Sequence, residues 1–246
     1  MRDTRIHIAG SLSPGRRIAL PAQAAQHVTR VLRLREGAEL TVFDGAGGQY
    51  RSTLHLSARG EATVEIHEHS ELERESPLRI TLLQGLARGE RMDWIVQKST
   101  ELGVTAIWPV ATARSVVQLD ADRSDKRLQH WEAVAASACE QSGRNTLPQI
   151  AGPRDFAAAM REAASIPCRL LLEPRGGEAL QTALGATPPA GIALLVGPEG
   201  GLDETEVELA HQAGFRPVRL GPRVLRTETA GPAALAALQC LAGDFR

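Results

Sequence analysis

LLVGPEGGLDETEV (194–207) and RLGPRVLRTETAGPAALAAL (219–238) repeat one pattern: an apolar run, a Gly-Pro step, and a helical periodicity. A buried strand that runs into a glycine-containing loop with a helix behind it is how α/β folds build ligand sites. Here the unit occurs twice in close succession, and both loops are crowded with Glu, Arg and Thr. Working outward, LRITLLQGL (78–86), AIWPV (106–110), RLLLEP (169–174), GIALLVG (191–197) and PVRLG (217–221) read as further buried strands. They alternate with helical patterns. MDWIVQKSTELG (92–103) is amphipathic and closes on Gly103. RLQHWEAVAASACEQSG (127–143) repeats Leu128, Trp131, Val134, Ala135 and Ala138 at helical spacing and ends at Gly143. A helix near Asp203 carries Glu204, Glu206 and Glu208 in its first turns, matching the macrodipole, and a last helix rich in Ala and Leu starts near Thr229. Such alternation predicts an α/β class with a largely parallel sheet and helices on both faces.

The first part of the chain follows a different rule. RIHI (5–8), RIAL (17–20), ELTVFD (39–44), QYRSTLHL (49–56) and ATVEIHE (62–68) are short runs, several with period-2 alternation. Turn signals separate them at Ser13-Pro14-Gly15, Gly45 to Gly48 and Arg59-Gly60. This predicts a small β-barrel. PAQAAQHVTRVLR (21–33) interrupts it as a helix whose Ala24, Val28, Val31 and Leu32 share a face. Arg30, Arg33 and Arg35 cluster near its end, where they either complement the helix C-terminus or form an RNA-facing patch. The charged segment HSELERES (69–76) before Pro77 is the best linker, so domains are expected over 1–72 and 77–246.

Composition bounds the function. The 246 residues are 43% hydrophobic and 23% charged, with a net charge of −1, which suits an ordinary globular protein rather than one coated in positive charge. No apolar run approaches the length needed to span a bilayer, and MRDTRIHIAG has no apolar core of a secretory signal. Cys139, Cys168 and Cys240 are isolated, as expected of thiols in a reducing cytoplasm. Lys98 and Lys126 are the only lysines among the basic residues; a GC-rich genome or phosphate recognition by guanidinium forks accounts for that equally. With only 3% aromatic residues, a wall of stacked bases is disfavoured. The histidines form no H-x-x-x-H or H-E-x-x-H, so no metal site is expected. GPEGG (197–201) is neither a P-loop nor a dinucleotide fingerprint, and no G-x-S-x-G elbow is present. Thr227 or Thr229 is able to cap the last helix with Glu228 in its first turn, but capping leaves Arg223 and Arg226 unexplained. EQSGRN (140–145) is either a plain helix end with a solvated Arg144 or a cleft edge where Glu140, Gln141, Arg144 and Asn145 face phosphate or base edges.

Taken together, KSTELGV (98–104), EQSGRN (140–145), LLVGPEGGLDETEV (194–207) and LGPRVLRTETA (220–230) resemble the ribosomal RNA small subunit methyltransferase E family, within the SPOUT superfamily of knotted methyltransferases. HVTRVLRLREGAEL (27–40) resembles that family's N-terminal PUA-like barrel, so the likeness covers nearly the whole chain. Gly231-Pro232 departs from it, at a place where the family continues with Ala or Leu; proline is tolerated in a first turn. The resemblance implies S-adenosylmethionine-dependent N3-methylation of uracil-1498 in 16S rRNA, a trefoil knot in the C-terminal domain, a homodimer, action on the small ribosomal subunit in the cytoplasm, and neither metal nor membrane. It places the cofactor in three loops: Leu172, Glu173 and Pro174; Val196, Gly197, Pro198, Glu199, Gly200 and Gly201; and Leu220, Gly221, Arg223, Leu225, Thr229 and Ala230. The RNA-facing readings of the helix end and of EQSGRN put RNA on Arg30, Arg33, Arg144 and Asn145.

The reaction sets its own requirement. Methyl transfer from a sulfonium is an in-line displacement, and the obstacle is the weakly acidic N3–H of uracil. The site must take that proton or stabilise the anion on O2 and O4. Arg226, ahead of Arg144, is expected to stabilise the anion. Glu199 or Glu228 is expected to accept the proton if desolvation raises its pKa. The target base has to be splayed from its RNA context to be reached. Two other readings stay open: a SPOUT enzyme acting on another base or a ribose 2′-hydroxyl, and a non-catalytic assembly factor, against which the intact GPEGG and LRTETA argue.

Overall fold

Alternation of apolar residues on both faces of short strands dictates the larger of the two compact units. The computed structural model describes residues 4–57, 61–115, 121–174 and 176–245, and the turn expected at Arg59-Gly60 lies outside them. The chain divides between Glu75 and Ser76, inside the charged segment, and Ala136–Leu147 is grouped with the first unit. A boundary drawn from sequence position alone does not capture that return.

In the first unit β1 (Arg5–His7), β2 (Arg17–Ala19), β3 (Glu39–Phe43), β4 (Gln49–Leu56) and β5 (Ala62–Ser70) form one sheet in the order β1-β3-β4-β5-β2. β1 runs parallel to β3 and the remaining pairs are antiparallel. Its core gathers Ile6, Leu40, Val42, Leu54, Val64 and Ile66 with Val28. The helical interruption is α1 (Ala22–Gln26) followed at once by a π-helical turn, His27–Val31, closed by Leu32 N–H donating to His27 C=O at 2.9 Å. The wider turn breaks the 3.6-residue period. Val28 is therefore buried while Val31 and Leu32 are 67% and 40% exposed, which corrects the shared apolar face expected for them. Arg33 follows with φ +52°, in a left-handed conformation that costs a non-glycine residue energy. Arg30, Arg33 and Arg35 are exposed.

In the second unit the strands are β6 (Ile80–Gly85), β7 (Ala106–Ala111), β8 (Gln149–Ile150), β9 (Arg154–Asp155), β10 (Cys168–Leu172), β11 (Glu178–Ala179), β12 (Ile192–Val196) and β13 (Arg216–Arg219). They pair in parallel in the order β11-β13-β10-β12-β6-β7-β8, with β9 also on β7. Pro109 in β7 has no N–H to give. It falls in the gap between β8, which pairs Ala106 and Ile107, and β9, which pairs Val110 and Ala111.

Register makes the two faces. Leu82, Leu194 and Leu170 align on one side and Leu83, Leu195 and Leu171 on the other. The first set packs under α2 (Glu90–Glu101), α3 (Ala121–Ser142), α5 (Leu180–Leu184) and α7 (Thr227–Ala242), through residues such as Ile95, Trp131, Leu180 and Leu235. The second packs under α4 (Phe156–Ala163) and α6 (Glu204–Gln212), through Phe156, Met160 and Ala210. Each such leucine or isoleucine contributes roughly 1.5–3 kcal/mol on burial. The expected α/β class with helices on both sheet faces is what the chain forms. The short elements β8, β9, β11 and α5 carry too little pattern to be read from sequence, whereas α4, capped by Asp155 and burying Phe156, Ala159, Met160 and Ala163 on one face, carries a signal that sequence reading missed. No helix among the described residues is long and apolar enough to cross a membrane.

Candidate active site

Three neighbouring parallel strands, β13, β10 and β12, end on the same edge of the sheet, where the loops of an open α/β sheet collect ligands. Their following loops enclose a cavity of about 850 Å³, within the 300–1,000 Å³ range typical of small-molecule sites. Leu172, Glu173 and Pro174 line it from β10; Val196, Gly197, Pro198, Glu199, Gly200 and Gly201 from β12; and Leu220, Gly221, Arg223, Leu225, Arg226, Glu228 and Ala230 from β13 and α7. Thr229 does not line the cavity; it is exposed, with its N–H bonded to Arg226 C=O at 2.9 Å.

Sequence reading missed several lining residues. Leu171, Leu202, Val207, Val224, Thr227, Arg91 and Arg114 complete the wall. Arg91 and Arg114 come from the loops and helix starts after β6 and β7, and each reaches the glycine loop. Arg114 Nη1 donates to Gly200 C=O at 3.0 Å. The loop carrying Arg114 is held in turn by Ala113 N–H donating to Glu206 Oε1 at 2.7 Å. Glu206 also completes the capping box with Asp203 at the start of α6, so the expected acidic helix start holds part of the rim as well.

Beneath the cavity lies a buried polar strut. Gln84, fully buried in β6, donates from Nε2 to the Thr227 hydroxyl at 3.0 Å and to Gly85 C=O at 3.0 Å. The Thr227 hydroxyl donates to Gly197 C=O at 2.7 Å. Thr227 therefore ties α7 to the glycine loop instead of capping its helix. The N-cap is Arg226, and it has no side-chain cap bond. Gly85 permits this close assembly: a Cβ there would stand 2.6 Å from Pro198 Cδ and backbone N. Gly231 in α7 faces β6 with more room, since its Cβ would meet Gln84 Oε1 at an ordinary 3.4 Å. Because α7 begins at Thr227 rather than Thr229, Pro232 lies in its second turn and not its first. Its missing N–H removes the intrahelical bond to the carbonyl four residues earlier, that of Glu228.

The charges at the mouth are ordered by Arg91. Its Nη1 donates to Glu199 Oε1 at 2.5 Å, and its Nε lies 3.7 Å from Glu228 Oε1. Backbone N–H of Arg88 donates to the same Glu199 oxygen at 3.0 Å. Desolvation raises the Glu199 pKa, but hydrogen bonds from the Arg88 and Glu199 backbone N–H groups and from Arg91 outweigh it and hold the carboxyl below its ordinary range. The raised pKa on which Glu199 was expected to accept a proton is therefore not found at this carboxyl. The hydrogen bond to Glu199 is the main reason the Arg91 guanidinium is raised. Arg226 and Arg223 are exposed at the rim.

Arg144 and Asn145 do not line this cavity. In the first unit the Arg144 side chain is only 5% exposed and forks onto Glu75, with Nε–Oε1 at 2.9 Å and Nη2–Oε2 at 2.5 Å. Asn145 is fully buried, accepts from Arg5 Nη2 at 2.5 Å and donates to Leu72 C=O at 2.5 Å. Nearby, Glu140 accepts from His7 N–H at 2.9 Å, and burial pushes the Cys139 thiol up to about 12. EQSGRN is thus an internal brace, and the solvated or cleft-edge placement expected of Arg144 and Asn145 is corrected: both are buried, Arg144 forked onto Glu75 and Asn145 bonded to Arg5 and Leu72.

A parallel-sheet domain with a loop-built cavity and a basic rim defines the class, and comparison with known proteins gives it a name. Residues 74–239 match the family described as RNA methyltransferase domain, and residues 20–66 match the RNA methyltransferase PUA domain. The ribosomal RNA small subunit methyltransferase E of Bacillus subtilis is 33% identical over 237 residues, covering 92% of each chain. Its counterpart from Neisseria gonorrhoeae, solved bound to S-adenosyl methionine, is 40% identical with a TM-score of 0.89 over 100% of both chains. A Legionella pneumophila structure with bound SAM is 39% identical with a TM-score of 0.94, also over 100% of both. The chain belongs to the ribosomal RNA small subunit methyltransferase E family.

Proposed function

We propose that this protein is an S-adenosylmethionine-dependent methyltransferase of small-subunit ribosomal RNA, and that its target is N3 of uracil-1498 in 16S rRNA. The observation that carries the reading is the single cavity enclosed by the β10, β12 and β13 loops in a chain whose relatives bind SAM at full-length similarity. The residues present fit such a cofactor. Leu171, Leu172, Val196, Leu220 and Leu225 offer apolar walls for a purine. Gly201 and Gly221, at φ +70° and +94°, turn loop backbone toward the cavity without side chains in the way. When bound, the cofactor supplies an electrophilic methyl group.

The chain's own residues supply the rest. Arg226, at the N-cap of α7 and on the cavity wall, stabilises negative charge on uracil O2 and O4 as the N3 proton leaves. Glu228, two residues on, lines the same wall and accepts that proton. The first unit docks the RNA through exposed Arg30 and Arg33, whose guanidinium forks suit phosphate oxygens. The region 77–246 carries out transfer; a trefoil knot, a homodimer, a cytoplasmic setting and independence of metal complete the proposal.

Mapping methylated nucleotides in 16S rRNA with and without this gene tests the target. Loss of the N3-methyl mark at uracil-1498 in the deletion is the expected result. A retained mark there, with loss of a 2′-O-methyl or another base mark, would favour a different acceptor. The Arg226→Ala variant is expected to lose at least 10²-fold in turnover while keeping the wild-type circular dichroism spectrum; near-normal turnover would remove Arg226 from its role.

A further inference from the structure

We infer that Arg91, at the start of α2, is a positioning residue that aims Glu228 at the substrate side of the cavity and is itself held in place by Glu199. The inference rests on the proposed transfer reaction and deepens it. Its basis is a chain of contacts across three elements that sequence separates widely. Gly89, at φ +56°, turns the backbone into α2, so that Arg88 N–H and the Arg91 guanidinium both meet Glu199 Oε1, at 3.0 and 2.5 Å. The other edge of the same guanidinium lies 3.7 Å from Glu228 Oε1. Glu199 thus anchors and Arg91 transmits.

Chemistry explains why such an anchor is useful. A carboxylate that is to take a proton must lie within hydrogen-bond reach of it, and a long side chain in the first turn of a helix has several rotamers to choose from. Arg91 reduces that choice. The pair Glu199–Arg91 is partly exposed, at 29% and 40% of side-chain area, so its value to folding is small, and its placement against Glu228 is what distinguishes it from a surface ion pair. Arginine serves here because its planar fork presents donors along two edges; a lysine makes one point contact.

The test is a kinetic cycle on purified small ribosomal subunits lacking the mark, with labelled S-adenosylmethionine, using wild type, Arg91→Ala, Arg91→Lys, Glu228→Gln and the Arg91→Ala/Glu228→Gln pair. Residues that act as a unit are non-additive. Arg91→Ala is expected to lower kcat by about tenfold or more with the RNA KM changed by less than about threefold. Arg91→Lys should recover part of kcat, and Arg91→Ala should cost less than about threefold once Glu228 is Gln. A thermal midpoint within about 2 °C of wild type confirms folding; should Arg91→Ala unfold, Arg91→Gln takes its place in the cycle. Unchanged kcat in Arg91→Ala, or losses that multiply in the double variant, would overturn the positioning role while leaving the reaction intact. A wild-type protein that transfers no methyl to these subunits would instead overturn the reaction on which the role rests.

Discussion

Gly85→Ala is the smallest change that bears on how the cavity is built. The added methyl would stand 2.6 Å from Pro198 Cδ and backbone N and 3.0 Å from Gly197 C. Ordinary contact begins near 3.4 Å, so the GPEGG loop must withdraw by about 0.8 Å or β6 must yield by the same amount. Gly85 is buried and paired with Val110 in the sheet, and Gln84 beside it is tied to Thr227, so the strand has little room. Overpacking of this kind costs about 1–3 kcal/mol. If the loop gives way, S-adenosylmethionine binding weakens about 5- to 140-fold, at 1.4 kcal/mol per decade. If the strain stays in the fold, the thermal midpoint falls by about 2–12 °C, at 2–4 °C per kcal/mol for a chain of this size. Calorimetric titration with the cofactor and thermal unfolding together capture both routes. Gly152→Ala is the control, since a Cβ there meets nothing within 4 Å. Wild-type affinity together with a wild-type midpoint in Gly85→Ala would refute the claim that loop and strand are in enforced contact.

Thr227→Val keeps the shape but leaves Gly197 C=O and Gln84 Nε2 short of a partner; a loss of about 1–3 kcal/mol in urea unfolding is expected, with Thr227→Ser near wild type, and equal stability of all three would remove the strut. Arg144→Ala leaves Glu75 without its forked partner and should cost about 3–5 kcal/mol in stability; a variant that unfolds like wild type and loses only RNA affinity would restore Arg144 as an RNA contact. Glu199 has a folded pKa below its ordinary value of 4.5, so its contribution to stability is complete above that value and disappears as pH falls through the folded pKa. The stability gap between wild type and Glu199→Gln should therefore narrow as pH drops below 4.5, and a gap that stays constant into acid would contradict the hydrogen bonds assigned to this carboxylate from the Arg88 and Glu199 backbone and from Arg91.

Strands and long helices were legible because their signals are local. Leu194–Val196 and Leu82–Leu83 announce burial by composition, and Glu204, Glu206 and Glu208 after Asp203 announce a helix start by their charge. The site was half legible for the same reason: glycine loops after buried strands mark where a ligand can approach. What failed was every inference that needed a distant partner. Arg144 looks solvated until Glu75, far back in the chain, folds onto it. Thr227 looks like a cap until Gln84 and Gly197 claim its hydroxyl. Arg91 has no motif at all, and only the fold brings it to Glu199 and Glu228. The π turn at His27–Val31 misled for a different reason, since a single extra residue per turn rotates Val31 and Leu32 out of a face that a 3.6-residue period assigns them.

The proposed reaction is transfer of a methyl group, from the cofactor in this cavity, to one rRNA uridine. Incubating the purified protein with methyl-labelled S-adenosylmethionine and small ribosomal subunits from the deletion strain, then locating the label by nuclease digestion and mass spectrometry, tests it directly. One labelled nucleotide is expected, 3-methyluridine at position 1498, with no label from Arg226→Ala. Label on a ribose, on another base, or absent from wild-type reactions would contradict it.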